Sequence, residues 1–75
     1  EPDVYLMDAR VPISEAAEVL GVYFSDRDAH TVGGFVTARL RRIPRVGDAV
    51  AEPGILIVVE EATDRAPLRL KVSLD

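Results

Sequence analysis

Residues 55–75 read ILIVVEEATDRAPLRLKVSLD and carry the clearest strand signals in the chain. The run ILIVVE, at residues 55–60, is continuously apolar and largely β-branched, which is typical of a buried strand. Residues 68–74 alternate between apolar and polar side chains, which predicts a half-buried antiparallel strand with an inner face of Leu68, Leu70, Val72 and Leu74. The turn signal TDRAP separates the two strands, so they are expected to form a hairpin. Strand 68–74 is also a candidate for a sheet edge, where it could pair with another chain.

A strand and a short helix are predicted near the start of the chain. Residues 4–8 are rich in strand-forming side chains. Ser14 is a good N-cap for a helix over residues 14–20, because its hydroxyl can accept a hydrogen bond from an unpaired helical amide. Gly21 follows the last apolar position of this helix and predicts its end.

A second helix is predicted between Thr31, as its N-cap, and Pro44, which ends it. Gly47 and Asp48 then mark a turn. The apolar face of this helix would carry Val32, Phe35, Val36, Leu40 and Ile43.

The order of these elements predicts an α+β fold, with a small, mainly antiparallel sheet packed against two helices. We write the order as β-α-α-β-β, with one further strand left open. A length of 75 residues predicts a single domain over residues 1–75. The chain begins with Glu1 rather than methionine, and we therefore expect a domain taken from a longer protein.

Composition disfavours several classes of function. The net charge of −4 disfavours nucleic-acid binding and docking on anionic lipid, because both need a basic face. No apolar run approaches the ~20 residues of a membrane span, so no direct membrane insertion is expected. With no cysteine and a single histidine, His30, we predict no catalytic residues, no metal site and no cofactor. Asp26 and Asp28 supply only a fragment of a calcium-binding loop.

The glycine pair Gly33-Gly34 follows Thr31 at the start of the second helix and has two interpretations. Glycine lets another backbone approach closely, which favours packing of this helix on the sheet or on the first helix. Alternatively, unpaired amides at a helix start hold an anion, with Arg10 and Thr31 nearby. Both interpretations stay open, and the second makes Arg10, Thr31, Gly33 and Gly34 candidate ligand-binding residues. The basic cluster at residues 41–45 is interpreted first as a solvated helix end and second as a contact for a phosphate or an acidic partner.

Five motifs, in this order, resemble the CorC/HlyC transporter-associated domain. They are Asp8-Ala9-Arg10, VPISE at 11–15, Leu20-Gly21, TVGG at 31–34, and RIPRVGD at 42–48. The residues that carry the structural part of the pattern are Asp8, Pro12, Gly21, Pro44, Gly47 and Asp48. Two departures stand out: Ala9 replaces the family's usual glycine, so position 9 is not expected to need a positive φ, and Ala29-His30 precede the TVGG motif.

The resemblance implies the C-terminal domain of a membrane protein with a transmembrane domain and a pair of CBS domains, linked to magnesium and cobalt efflux. It implies a non-enzymatic, regulatory domain on the cytoplasmic side of the membrane, with those two domains as partners. The fold is similar to that of certain FAD-binding domains, and some relatives are called haemolysins. Two alternatives remain open: a sensor domain for an adenine nucleotide or flavin, and a homodimerisation or assembly module.

Overall fold

The computed structural model describes residues 3–24 and 29–74. Its elements are β1 (Val4–Asp8), α1 (Ile13–Leu20), α2 (Val32–Leu40), β2 (Ala49–Glu52), β3 (Ile55–Ala62) and β4 (Pro67–Leu74). The strands form one antiparallel sheet in the order β1-β4-β3-β2. The predicted α+β fold is confirmed, and β2 is the strand that the sequence left open. The acidic loop with Asp26 and Asp28 lies outside the described residues.

The core lies between one face of the sheet and the two helices. Phe35, on α2, is fully buried at its centre, and its ring meets that of Phe24 edge to face with centroids 5.1 Å apart. The sheet contributes every second side chain along its strands to this core, chiefly Val50, Ile55, Ile57, Val59, Leu70 and Val72. Neither helix in the described ranges has the length and hydropathy needed to cross a bilayer.

The start of α1 differs from the prediction. The helix begins at Ile13 with Pro12 as its N-cap, so Ser14 lies within the first turn and does not cap it. Pro12 has an extended backbone, and its carbonyl accepts a hydrogen bond from the amide of Ala16. The Ile13 amide donates to the carbonyl of His30, 2.8 Å away, so backbone from the loop before α2 replaces the expected side-chain cap.

The second helix begins as predicted but ends earlier. Thr31 caps α2 by accepting a hydrogen bond from the Gly34 amide. The helix stops at Leu40 because Arg41 adopts the left-handed conformation, so Ile43 leaves the apolar face and is 46% exposed. Pro44 therefore does not terminate the helix but is buried beyond its end. A side chain with helical spacing can lie outside the helix when the backbone turns first.

The position of β4 corrects the prediction that this strand lies at a sheet edge. It lies between β1 and β3, so β1 and β2 are the edges of the sheet in the part of the chain that is described. The register between β3 and β4 shifts around Glu61, where a bulge interrupts the pairing. Because of this shift, Pro67 is buried while Leu68 is 48% exposed, which corrects the predicted inward position of Leu68.

The residues after the two helices provide a matched pair of substitutions. Gly21 has φ 69° and Arg41 has φ 59°, and a side chain in this left-handed region costs about 1 kcal/mol. We expect Gly21→Ala to lower the free energy of unfolding by about 1 kcal/mol and Arg41→Gly to raise it by up to about 1 kcal/mol. Urea denaturation of both variants measures the effects. Equal losses of stability in the two variants would contradict a left-handed backbone at both positions.

Candidate functional site

The residues that the sequence marks for binding lie together, where the first turn of α2 crosses the chain just after β1. Arg10, Thr31, Gly33 and Gly34 all line one open cavity of about 410 Å³. Ala9 and Pro67 complete its apolar walls. The fold thus brings together residues that are more than 20 positions apart in the chain, and ligand binding by them stays a prediction.

The amide groups at this end of α2 already have acceptors. Three consecutive amides donate to nearby oxygens at 2.9–3.0 Å: Val32 N to Val11 O, Gly33 N to Ala9 O and Gly34 N to Thr31 Oγ1. An anion held by unpaired helical amides, as the second interpretation of the glycine pair requires, would have to displace these bonds. A ligand in the cavity would instead meet its apolar walls and the side chain of Arg10.

Gly33 is the point of closest approach between α2 and the chain after β1. A Cβ added to Gly33 would lie 2.8 Å from Ala9 Cβ, 2.9 Å from Ala9 O and 3.3 Å from Pro67 Cγ. Only glycine fits this contact without a shift of the backbone. A Cβ on Gly34 would meet only Thr31 Oγ1, at 3.2 Å. Close packing therefore explains why residue 33 is glycine, whereas Gly34 faces outward.

Asp8 and Arg10 form an exposed pair at the rim of the cavity. The Arg10 guanidinium donates to both carboxylate oxygens of Asp8 at 3.1 Å, and the Arg10 amide donates to Asp8 Oδ1 at 2.8 Å. These hydrogen bonds hold the pKa of Asp8 below its usual value. Ala9 between them is not among the described residues with positive φ, as expected from its replacement of glycine.

Asp48 organises the loop between α2 and β2. Its carboxylate accepts hydrogen bonds from Arg42 at 2.7 and 3.0 Å and from the Arg45 amide at 2.7 Å. Gly47, with φ 94°, donates its amide to Val59 O and so ties the loop to β3. The basic cluster at residues 41–45 is exposed, apart from the buried Pro44. Within it, the Arg42 side chain forms an ion pair with Asp48 of the same loop.

This arrangement predicts the pH dependence of stability. The hydrogen bonds from Arg42, and next those from the Arg45 amide, lower the pKa of Asp48 from 3.8 to about 2. The ionised carboxylate therefore contributes stability that is full above about pH 5 and is lost as the pH falls toward 2. We expect Asp48→Asn to lower the urea midpoint at pH 7, with the gap to the parent chain closing near pH 2. Arg42→Gln should reproduce this pattern, and a gap that is independent of pH would contradict it.

One ion pair was not anticipated from the sequence. Arg39, on α2, pairs with Glu52 at the end of β2, and the Glu52 side chain is only 6% exposed. The Arg39 guanidinium also lies 5.7 Å from the centroid of the Phe35 ring. The contact between Arg39 and Phe35 could have been predicted from the sequence, because side chains four positions apart are neighbours on a helix. Nothing local in the sequence connects either residue with Glu52.

The described residues contain few side chains of the kinds that bind metal ions or act in catalysis. Within residues 3–24 and 29–74, no three His, Asp or Glu side chains lie close enough together to hold a metal ion. His30 is exposed in the loop before α2, and its backbone carbonyl accepts the Ile13 amide.

Comparison with known proteins decides the family. The model of the CorC_HlyC transporter-associated domain matches residues 1–75, the whole chain. The chain belongs to this family. The CorC_HlyC domain is a transporter-associated family rather than a known enzyme family, and it occurs in CorC and haemolysin-like proteins.

Relatives agree in sequence and in fold. A UPF0053 protein of Mycobacterium tuberculosis is 38% identical over 61 residues, which are 80% of this chain and 14% of that protein. A CorC_HlyC domain from a Xylella fastidiosa haemolysin, solved in complex with Mg²⁺ and Mn²⁺, is 28% identical with a TM-score of 0.86, and the match covers 100% of this chain and 91% of that one. A putative Mg²⁺ and Co²⁺ transporter (CorC)-associated region from Neisseria meningitidis shares the fold, with a TM-score of 0.92, 24% identity and coverage of 100% and 93%.

These lengths show that a CorC_HlyC domain is a separable unit. The chain spans about 14% of the curated mycobacterial relative, yet it covers 91% of the Xylella chain, which was solved with little besides this domain. A domain of this family therefore folds on its own.

Proposed function

We propose that this chain is the C-terminal regulatory domain of a CorC-like transporter of divalent cations such as magnesium or cobalt. It acts without catalysis, on the cytoplasmic side of the membrane, through contacts with the CBS-domain pair and the transmembrane domain of the same protein. A domain of this kind biases transport when it contacts one conformation of its neighbours more favourably than another. The match of the family model to the whole chain carries this proposal.

Two relatives support the link to divalent cations. The Neisseria relative is described as a region associated with a putative Mg²⁺ and Co²⁺ transporter, and the Xylella relative was crystallised with Mg²⁺ and Mn²⁺. The mycobacterial relative supports the longer architecture, because its matched segment is only 14% of its length.

Removal of the domain from the full-length transporter tests the proposal. Residues 1–75 would be deleted, and Mg²⁺ and Co²⁺ flux would be measured per transporter present in the membrane, over a range of cytoplasmic Mg²⁺. We expect the deletion to change the basal flux or its dependence on Mg²⁺. Tyr23→Ala, a substitution at a 74% exposed side chain, is the control that should leave both unchanged. An unaltered flux and Mg²⁺ response in the deletion would overturn the proposal.

A second candidate is a sensor for an adenine nucleotide or flavin, and the cavity near Arg10 is the observation that favours it. This cavity of about 410 Å³ is within the size range of small-molecule sites, about 300–1,000 Å³. NMR titration of the isolated domain with Mg²⁺, ATP, AMP and FAD, following the amides of Arg10, Gly33 and Gly34, tests it. Saturable shifts at these amides in the parent chain, weakened in Arg10→Gln, are expected for a sensor. No shift at millimolar ligand would remove this candidate.

A further inference from the structure

The second face of the sheet, opposite the helices, carries an apolar region over part of its area. The pairing of the strands places eight side chains in two adjacent rows on this face: Val4, Ser73, Leu56 and Ala51, and then Leu6, Lys71, Val58 and Ala49. A third row, Asp8, Arg69 and Glu61, follows them and is charged. Of the eight, all but Ser73 and Lys71 are apolar. We call these eight residues the outer face. An antiparallel sheet with one solvated face usually carries polar side chains there.

No described element covers the outer face. Leu6 is 63% exposed and Leu56 is 40% exposed, whereas their chain neighbours on the opposite face, such as Ile55 and Ile57, are buried. Both helices lie on that opposite side, where their apolar residues share the core with the inner side chains of the sheet. The apolar side chains of the outer face are therefore uncovered on both sides of Ser73 and Lys71, and exposed apolar surface is associated with interaction sites.

The composition of β3 is consistent with a covered outer face. Its start, ILIVV, carries apolar side chains at successive positions, a pattern typical of strands that are buried on both faces. In this domain only one face of β3 is buried, since Ile55, Ile57 and Val59 point inward while Leu56 is exposed. A partner on the outer face would bury the second set of side chains.

The size of the outer face indicates the kind of partner. With strands ~4.8 Å apart and ~6.8 Å between side chains on one face, eight positions cover roughly 260 Å². A stable interface between two proteins buries about 800 Å² of accessible surface on each, so a dimer of two such domains would have to extend beyond these eight positions. One helix, about 10 Å across and roughly 12 residues long, would span the four strands and cover both rows.

Charge adds a second requirement. Lys71 lies in the middle of the outer face, between Leu6 and Val58. Among residues 3–24 and 29–74, no carboxylate forms an ion pair with it. A partner that covers this ammonium group without providing an anion would leave a charge without water or a counterion, which is costly. A carboxylate in the partner's apolar stripe, opposite Lys71, would supply that anion.

We propose that the outer face docks an amphipathic helix that carries an aliphatic stripe and one carboxylate, supplied by another part of the same transporter polypeptide. This inference rests on the proposed function, which places the domain in a longer protein. The mycobacterial relative has the necessary additional length, since the matched segment is only 14% of it. Docking and release of such a helix would be the contact through which the domain acts on the rest of the transporter.

Site-specific photocrosslinking identifies the occupant. Leu56 would be replaced by the photoreactive amino acid p-benzoylphenylalanine in the full-length transporter, and the adduct would be mapped by mass spectrometry. The expected adduct is intramolecular and lies in a helical segment with an acidic residue in its apolar stripe. An adduct to Leu56 or its outer-face neighbours in a second copy, or the absence of any adduct, would overturn the proposal. The same replacement at Val19, which is 57% exposed on α1, is the matched control and should not yield that adduct.

Radical footprinting tests the charge requirement. Labelling of Leu6 should fall about fivefold from the isolated domain to the full-length protein, as expected when a 63% exposed side chain enters an interface core. Lys71→Glu should restore the labelling, while Glu18→Lys, on the exposed side of α1, should not. Equal labelling in the isolated domain and the full-length protein would overturn the docking. Cation flux is measured separately in the transporter that lacks residues 1–75. That measurement shows whether the proposed function itself fails.

Discussion

Phe35→Ala is expected to lower the free energy of unfolding by about 3–5 kcal/mol, the usual cost of removing a buried phenylalanine. The Phe35 side chain is fully buried, packs edge to face on Phe24 and lies beneath the Arg39 guanidinium. Its removal leaves a cavity where the second helix meets the sheet. A domain of 75 residues has about 4–11 kcal/mol of stability in total, so this single change removes a large share of it.

Urea denaturation followed by circular dichroism measures this loss. Tyr23→Ala is the matched control, because Tyr23 is also aromatic but is 74% exposed. We expect the control to change the free energy of unfolding by less than about 0.5 kcal/mol. Similar midpoints for Phe35→Ala and Tyr23→Ala would show that Phe35 is not at the centre of the core.

Gly33→Ala is expected to destabilise the domain by about 1–3 kcal/mol, although alanine is the better helix former by about 1 kcal/mol. The added Cβ would lie 2.9 Å from the carbonyl oxygen of Ala9, which is backbone and cannot rotate away. It would also weaken the hydrogen bond from the Gly33 amide to that oxygen. Thermal and urea denaturation both report the change.

Two further variants separate packing from helix propensity. In Gly34→Ala the new Cβ meets only the Thr31 hydroxyl at 3.2 Å, so the net effect is expected within about 1 kcal/mol of zero. Combining Gly33→Ala with Ala9→Gly removes the 2.8 Å contact between the two Cβ atoms and should recover part of the lost stability. If Gly33→Ala stabilises the chain as much as an ordinary helical substitution would, close packing is not the reason for this glycine.

The motifs that identify the family act mainly within the fold. Asp8 binds Arg10 across one residue, Thr31 caps α2, and Asp48 holds the loop that carries Arg42 and Arg45. Each is a local structural device with a hydrogen-bonding or conformational reason. The outer face contains no residue of these motifs, whereas the cavity near Arg10 is lined by several of them, so a partner is better sought at the outer face.

The parts of the fold that depend on local chemistry can be predicted from the sequence. The hairpin of β3 and β4, the β1 strand, the Thr31 cap and the end of α1 at Gly21 all follow from side-chain periodicity, capping and turn preferences within a few residues. The order of five short motifs was also sufficient to indicate the family, because the combination is far more specific than any one of them.

Features that depend on residues far apart in the chain could not be predicted from the sequence. The Pro12 cap depends on the carbonyl of His30, and the central position of β4 depends on pairing with β1 some 60 residues earlier. The inward position of Pro67, and with it the exposure of Leu68, depends on the irregular pairing of β4 with β3, in which Leu68 has no partner in the register. The contact that requires Gly33 to be glycine is made by Ala9, from another element. Local propensities carry no information about such contacts, since which backbones and side chains meet is set by how the helices and the sheet share one small core.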